Sequence, residues 1–201
     1  MLGRDFDGDE HSFTAEERNN LVFANNRIYK HKVLRINYTT YDLRRAQDSL
    51  NSRTHADFMT LSHEDDTSDH KSFPYWFGRI IGIFHTVVQY YGAGTYPTEP
   101  QRFEFLFVRW FGRDLTYRAG WKARRLHRIG FVDADDDTAF GFLDPQEVIR
   151  GVHLIPAFHH GRTATLLPPS PTARTPSEED EDWCYYYVNM WVPALSMNAS
   201  N

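Results

Sequence analysis

Cysteine and long apolar runs are both scarce in this sequence. A single cysteine, Cys184, stands among 201 residues, so the chain cannot form an internal disulfide, which fits a reducing compartment. Mean hydropathy is −0.59, and no uncharged stretch reaches the length that crosses a bilayer. The first residues, "MLGRDFDGDEH", lack the basic-then-apolar pattern of a secretory signal. These absences predict an intracellular protein with no membrane partner.

Basic residues are outnumbered overall but are concentrated in one segment. The net charge is −5 at pH 7, yet residues 101–128 hold eight Lys/Arg against two acids. Acidic runs stand at "DFDGDE" (5–10), "DADDD" (133–137) and "EEDED" (178–182), and such runs usually form solvated loops. The basic segment opposes the general trend, so it is the stronger indication of a charged partner.

The apolar pattern predicts many short strands and few helices. Residues 27–45 alternate, and apolar stretches at 56–62, 75–91, 105–114, 152–158 and 183–192 are typical of strands. Polar loops are expected at 63–72 and 92–101. The capping box "TAEE" from Thr14 predicts a short helix to about Asn25, and "DPQEV" from Asp144 predicts one helical turn. Strands without intervening amphipathic helices favour an antiparallel barrel or sandwich.

The stretch "FLFVRWFGRD" (105–114) is apolar on both faces of a strand. A strand of this kind is expected to be central, with terminal extensions packed over its outside. Arg109 lies between Val108 and Trp110, so we expect its charge to be buried and paired with a carboxylate or with backbone carbonyls.

Four segments resemble bromo-adjacent homology (BAH) domains: "GRIIGIF" (78–84), "VRWFGRD" (108–114), "DPQEVIRGVHLIPAF" (144–158) and "YYYVNMWV" (185–192). The resemblance implies a small twisted antiparallel β-barrel of the kind found in chromatin-associated proteins. We therefore predict a mainly β fold with a short N-terminal helix and irregular extensions. The expected organisation is an acidic N-terminal extension (1–26), a BAH-like barrel (27–167), a disordered acidic linker (168–182) and a final strand with a diverged tail (183–201).

A longer resemblance covers nearly the whole chain. Five segments are similar to the C-terminal region of transposase proteins of Plavaka elements, which are CACTA-like fungal transposons: "LGRDFDGDEHSFTAEERN", "HKVLRINYTTYDLRRAQDSLNSRTHADFMTLS", "FVRWFGRD", "AFGFLDPQEVIRGVHLIPAF" and "DWCYYYVNMWV". The resemblance implies a nuclear protein and a ribonuclease-H-like catalytic domain upstream in a complete transposase. That catalytic part is accordingly an expected partner, and the parent's catalytic acids are expected to be missing here.

The segment 113–128 is the candidate nucleic-acid-binding site. Its basic side chains can bind phosphates and its interleaved aromatics can stack on bases. The alternative is a solvated loop whose charges balance the nearby acidic runs. The candidate binding residues are Arg113, Arg118, Lys122, Arg124, Arg125 and Arg128, and the candidates for base stacking or a methyl-lysine cage are Trp76, Tyr117 and Trp121.

Catalytic and metal-binding patterns are weak by comparison. "DFDGDE" places Gly8 fourth rather than sixth in a calcium loop, and His153, His159 and His160 lack the cysteine partners and spacing of a zinc site. We expect no metal, no cofactor and no catalytic residues. Three hypotheses remain: a DNA- or chromatin-contacting accessory module, an inert transposon remnant, and a metal-dependent nuclease.

Overall fold

The computed structural model describes residues 14–39, 45–62, 74–92, 98–174 and 178–189, together with every side chain in these ranges except that of Trp121. The fold is mainly β, as predicted, and the described residues include one short α-helix, α1, at Ala15–Asn19. The strands are β1 Leu21–His31, β2 Leu34–Thr39, β3 Arg45–Leu50, β4 Asp57–Leu61, β5 Tyr75–Tyr90, β6 Gln101–Arg113, β7 His127–Phe131, β8 Phe140–Leu143, β9 Val148–Gly151, β10 His153–Pro156, β11 Arg162–Thr163, β12 Asp182–Trp183 and β13 Tyr186–Asn189. The predicted polar loop at 63–72 lies outside the described residues.

Both predicted caps are present. The Thr14 hydroxyl accepts from the Glu17 amide, and the Glu17 carboxylate accepts from the Thr14 amide, which completes the capping box. Asp144 caps the single 3-10 turn Pro145–Glu147 by accepting from the Gln146 amide. The helix ends at Asn19 rather than near Asn25, because the β-prone stretch that follows it starts β1 at Leu21.

The chain divides into two compact units, Met1–Lys30 with Phe84–Glu104, and His31–Ile83 with Phe105–Asn201. In the first unit β1 pairs with β5, and the Thr86 hydroxyl donates to the Arg27 carbonyl oxygen at 3.0 Å. The second unit contains the strand order β10-β13-β7-β6-β5-β4-β9, with β8 on β6. This order ends at two different strands, β10 and β9, so the described sheets do not close and the predicted barrel is not confirmed.

Strand β6 is buried on both faces within the second unit. Phe111 belongs to one apolar cluster, which includes Ile129, Phe131 and Tyr186. Leu106 and Val108 point to the opposite face and belong to a second cluster, against which Leu34 and Ile36 of the β2–β3 hairpin pack. The strand is therefore central, as its sequence predicts. The β2–β3 hairpin covers part of one face, and Tyr186 and Val188 near the C-terminal end belong to the cluster on the other face.

Two side chains of the predicted linker, 168–182, lie inside the second unit. Arg174 is 6% exposed and Asp182 is 3% exposed. The Arg174 guanidinium donates to the Asp182 carboxylate at 2.8 Å and to the Leu167 carbonyl oxygen at 2.9 Å. These bonds hold the described part of the segment against the core, although its composition is that of a linker.

Candidate nucleic-acid interface

The candidate segment 113–128 starts at the last residue of β6 and ends in β7, and it forms the loop of the hairpin between these two strands. Asp114 holds its first turn: its carboxylate accepts from the Thr116 amide at 2.9 Å and from the Thr116 hydroxyl at 2.6 Å. The Asp114 amide donates to the Arg128 carbonyl oxygen at 3.0 Å, which extends the pairing of the two strands beyond β6. The segment 114–126, called the basic loop below, is consequently built from defined turns at its base.

The tip of the basic loop is held by backbone bonds and two left-handed residues. The Gly120 amide donates to the Arg125 carbonyl oxygen at 2.8 Å, and a single 3-10 turn, Trp121–Ala123, lies between them. Gly120 has φ +94° and Arg124 has φ +51°, which lets the chain reverse within a few residues. The reversal leaves four cations exposed: Arg118, Lys122, Arg124 and Arg125.

Arg128 differs from these four because it is partly buried and bound to other groups of the chain. Its Nε donates to the Asp114 carboxylate at 2.9 Å, and its side chain is only 13% exposed. The guanidinium carbon lies 4.2 Å from the Tyr117 ring centroid and 4.6 Å from that of Tyr185. The Arg128 guanidinium therefore contacts both tyrosine rings and is paired with Asp114, so this aromatic site is already occupied by a cation of the same chain.

Burial acts to raise the pKa of Asp114, but hydrogen bonds from Thr116 and Arg128 outweigh it and lower the pKa below its usual range. Asp114 therefore stays ionised at neutral pH and offsets the charge of Arg128. Arg113, the last residue of β6, is half-buried. Burial, and then the nearby Arg113 charge, lower the pKa of His127, so His127 adds no positive charge to the surface at pH 7.

The aromatic candidates have separate surroundings. Trp76 is 37% exposed in β5, where it packs edge-on against Trp110 at a centroid distance of 6.1 Å. Tyr117 lies in the basic loop against Arg128 and, at 6.1 Å, Tyr187. The side chain of Trp121 lies outside the described set. Trp76 and Tyr117 thus pack against different rings.

The histidines considered for zinc have other neighbours. His160 Nε2 lies 2.9 Å from Arg128 Nη1. The His160 ring meets the His159 ring edge to face at a centroid distance of 5.4 Å, and it meets the Tyr185 ring in the same way at 5.1 Å. Within the part of the chain that the structure describes, no group of three His, Cys, Asp or Glu side chains is placed to hold a metal ion.

The pairing of Asp114 with Arg128 was not predicted from the sequence. A signal for half of it is present: an aspartate that follows a strand, with threonine two residues later, is typical of an Asx turn. The other half depends on the hairpin register, which brings two residues 14 positions apart into contact.

No family model matches the chain, and neither a curated protein nor a solved structure matches it. The resemblances to BAH domains and to Plavaka transposases therefore stay predictions. Among the described residues, no helix is both long enough and apolar enough to cross a membrane.

Proposed function

We propose that the chain is a non-catalytic module that contacts DNA or chromatin through the basic loop, as an accessory part of a transposon-encoded transposase that acts in the nucleus. The observation that supports the proposal is the set of four exposed cations, Arg118, Lys122, Arg124 and Arg125, on one hydrogen-bonded loop. Exposed Lys and Arg side chains held close together neutralise phosphates and release counterions.

The charge distribution supports contact with the phosphate backbone. The chain outside residues 101–128 carries 25 acids against 14 Lys/Arg, so a polyanion approaching elsewhere is repelled on balance. Sequence readout requires a helix or ribbon that presents side chains to base edges. The described residues hold one α-helix, of five residues, and the four exposed cations lie in the loop at the tip of the β6–β7 hairpin rather than along its strands, so we propose binding that does not discriminate between duplex sequences.

Salt dependence tests this proposal. If four phosphates are neutralised, log affinity falls against log salt concentration with a slope of about −3.6. The double variant Arg124→Ala/Arg125→Ala is expected to make the slope shallower by about two units and to weaken all duplex sequences alike. A matched control is Arg35→Ala/Arg53→Ala, which removes two exposed arginines outside the loop and should leave the slope unchanged.

Two results would favour the other hypotheses. No binding to DNA even at low salt would support an inert remnant. Reproducible cleavage or joining of DNA in the presence of magnesium or manganese would contradict the non-catalytic proposal. Loss of that cleavage in Asp135→Asn/Asp137→Asn, which neutralises two exposed acids of the 133–137 run, would support a metal-dependent nuclease.

A further inference from the structure

A cleft of about 530 Å³ lies at the base of the basic loop, between the ends of β6 and β7 and the segments 163–166 and 184–185. Its lining includes Gly112, Gly130, Leu115, Leu166, Thr163 and Tyr185. We propose that this cleft accepts an unpaired base of single-stranded nucleic acid whose phosphates lie along the basic loop. The inference rests on the proposed function and names a substrate class for it.

Two glycines leave this part of the hairpin without side chains. Gly112 and Gly130 stand directly opposite each other in the β6–β7 ladder. A Cβ added to Gly112 would meet one described atom within 4 Å, Val132 Cγ2 at 3.7 Å. A Cβ added to Gly130 would lie 2.8 Å from the Cys184 carbonyl oxygen. The cleft therefore has open space above Gly112 and a closely packed wall beside Gly130.

The walls offer the contacts that a base requires. Leu115 is 77% exposed at one side, and half-buried Leu166 supplies further apolar surface. Arg128 covers one face of the Tyr185 ring, so only the part of that ring that lines the cleft is offered to a base. The Thr163 and Thr165 hydroxyls lie 2.8 Å apart and can exchange hydrogen bonds with a base edge. Stacking on aromatic and apolar surface binds bases with little regard to sequence, because every base has a π-face.

The position and size of the cleft argue for a nucleotide as occupant. Clefts of roughly 300–1,000 Å³ are the usual size for small organic ligands, and this cleft falls within that range. Arg113, Asp114 and Leu115 line it, and the chain runs directly from them into the four exposed cations. A polyanion held by those cations is thus brought to the mouth of the cleft. Bases of an intact duplex are stacked inside and cannot enter, so the cleft selects single strands.

The test is a pair of binding measurements on the full chain, by fluorescence anisotropy, with an oligothymidine of about 12 nucleotides and a duplex of equal length. Gly112→Val places a branched side chain above β6, and its Cβ meets only an ordinary contact, Val132 Cγ2 at 3.7 Å. We expect it to weaken oligothymidine binding by about tenfold, the scale of one stacked base, and to leave duplex binding unchanged. Ala164→Val is the control, because Ala164 is exposed between Thr163 and Thr165 and does not line the cleft.

Loss of the phosphate contact and loss of the base contact are expected to weaken different sets of probes. Arg124→Ala/Arg125→Ala should weaken both probes, whereas Gly112→Val should weaken only the single strand. Equal effects of Gly112→Val and Ala164→Val, or an equal loss on both probes, would overturn the cleft proposal and leave the loop proposal intact. If the wild-type protein bound neither the oligothymidine nor the duplex, both the cleft proposal and the loop proposal would be overturned.

Photo-crosslinking keeps the proposal testable if Gly112→Val does not fold. A bromodeoxyuridine oligonucleotide bound to the wild-type chain should crosslink to residues of the cleft, such as Tyr185 or Leu115, in peptides identified by mass spectrometry. Crosslinks confined to residues outside the cleft would contradict base binding there.

Discussion

Arg109 and Asp182, 73 residues apart in the chain, form a two-pronged ion pair inside the protein. Arg109 Nη1 donates to Asp182 Oδ1 at 3.0 Å and Nη2 donates to Oδ2 at 2.9 Å, with side-chain exposures of 0% and 2%. Arg174 donates to the same carboxylate, so one acid serves two buried arginines. The pairing predicted for Arg109 is confirmed, and its partner fixes the start of the last strands against β6.

Removal of Arg109 is expected to be strongly destabilising. Arg109→Ala should lower the free energy of unfolding by about 3–5 kcal/mol, the scale for breaking a buried ion pair from one side. The matched control is Arg102→Ala, because the Arg102–Glu104 pair is more than half exposed and should contribute roughly 0–1 kcal/mol. Urea denaturation of the three proteins measures both values. A loss below about 0.5 kcal/mol for Arg109→Ala would match an ordinary surface site instead.

Acid should destabilise the protein through Asp182. Burial acts to raise its pKa, but hydrogen bonds from Arg174 and Arg109 outweigh it, so the folded-state pKa is lowered. A depressed pKa contributes stability above the unfolded value, about 3.9, and that stability is lost as pH falls through the folded pKa. The free energy of unfolding should therefore decline below about pH 4. The decline should be shallower in Asp182→Asn, which is also less stable at pH 7.

The control for acid sensitivity is Asp135→Asn, which removes an exposed carboxyl in a loop. Its stability curve should run parallel to that of the wild type between neutral and acid pH. A wild-type curve and an Asp182→Asn curve that are themselves parallel would show that Asp182 has the same pKa in the folded and unfolded chains.

Gly78 should tolerate no side chain, for reasons of packing. It stands opposite Phe58 in the β4–β5 ladder, and a Cβ there would lie 2.6 Å from Phe58 Cζ. Gly78→Ala is therefore expected to cost about 1–3 kcal/mol, the range for overpacked cores. Gly112→Ala is the control, because its new Cβ meets only an ordinary contact among the described residues. Equal melting temperatures for the two variants would contradict this account.

Local features of this fold could be predicted and long-range ones could not. The caps at Thr14 and Asp144 depend on residues within three positions, so the sequence displays them directly. The central position of β6 follows from apolar residues at both parities. By contrast, composition averages over residues 168–182 and cannot show that Asp182 pairs with both Arg174 and Arg109 of β6. The sequence around Gly78 likewise gives no sign of the Phe58 ring that occupies the space beside it.

The same limit applies to the basic loop. Six Lys/Arg between 113 and 128 look equivalent in sequence, because the local charge count is all that is visible. The hairpin register separates them: Arg128 is brought back to Asp114, whereas Arg118, Lys122, Arg124 and Arg125 remain exposed. Which cations can meet a phosphate is thus decided by a pairing between strands.

The pairing of Arg128 with Asp114 yields a prediction in which removal of an acid strengthens nucleic-acid binding. Asp114→Asn keeps the size of the side chain and an oxygen that can accept from Thr116, but it leaves the Arg128 charge without its counter-charge. The slope of log affinity for duplex DNA against log salt concentration should then become steeper by about one unit.

Arg128→Ala, in contrast, should change the wild-type slope by less than about half a unit, whereas Arg124→Ala should make it shallower by about 0.9. Asp135→Asn, which removes an exposed acid outside the loop, serves as the control for net charge alone. If Arg128→Ala and Arg124→Ala made the salt-dependence slope shallower by the same amount, Arg128 would be shown to contact phosphate. The Asp114–Arg128 ion pair would then have to break when nucleic acid binds.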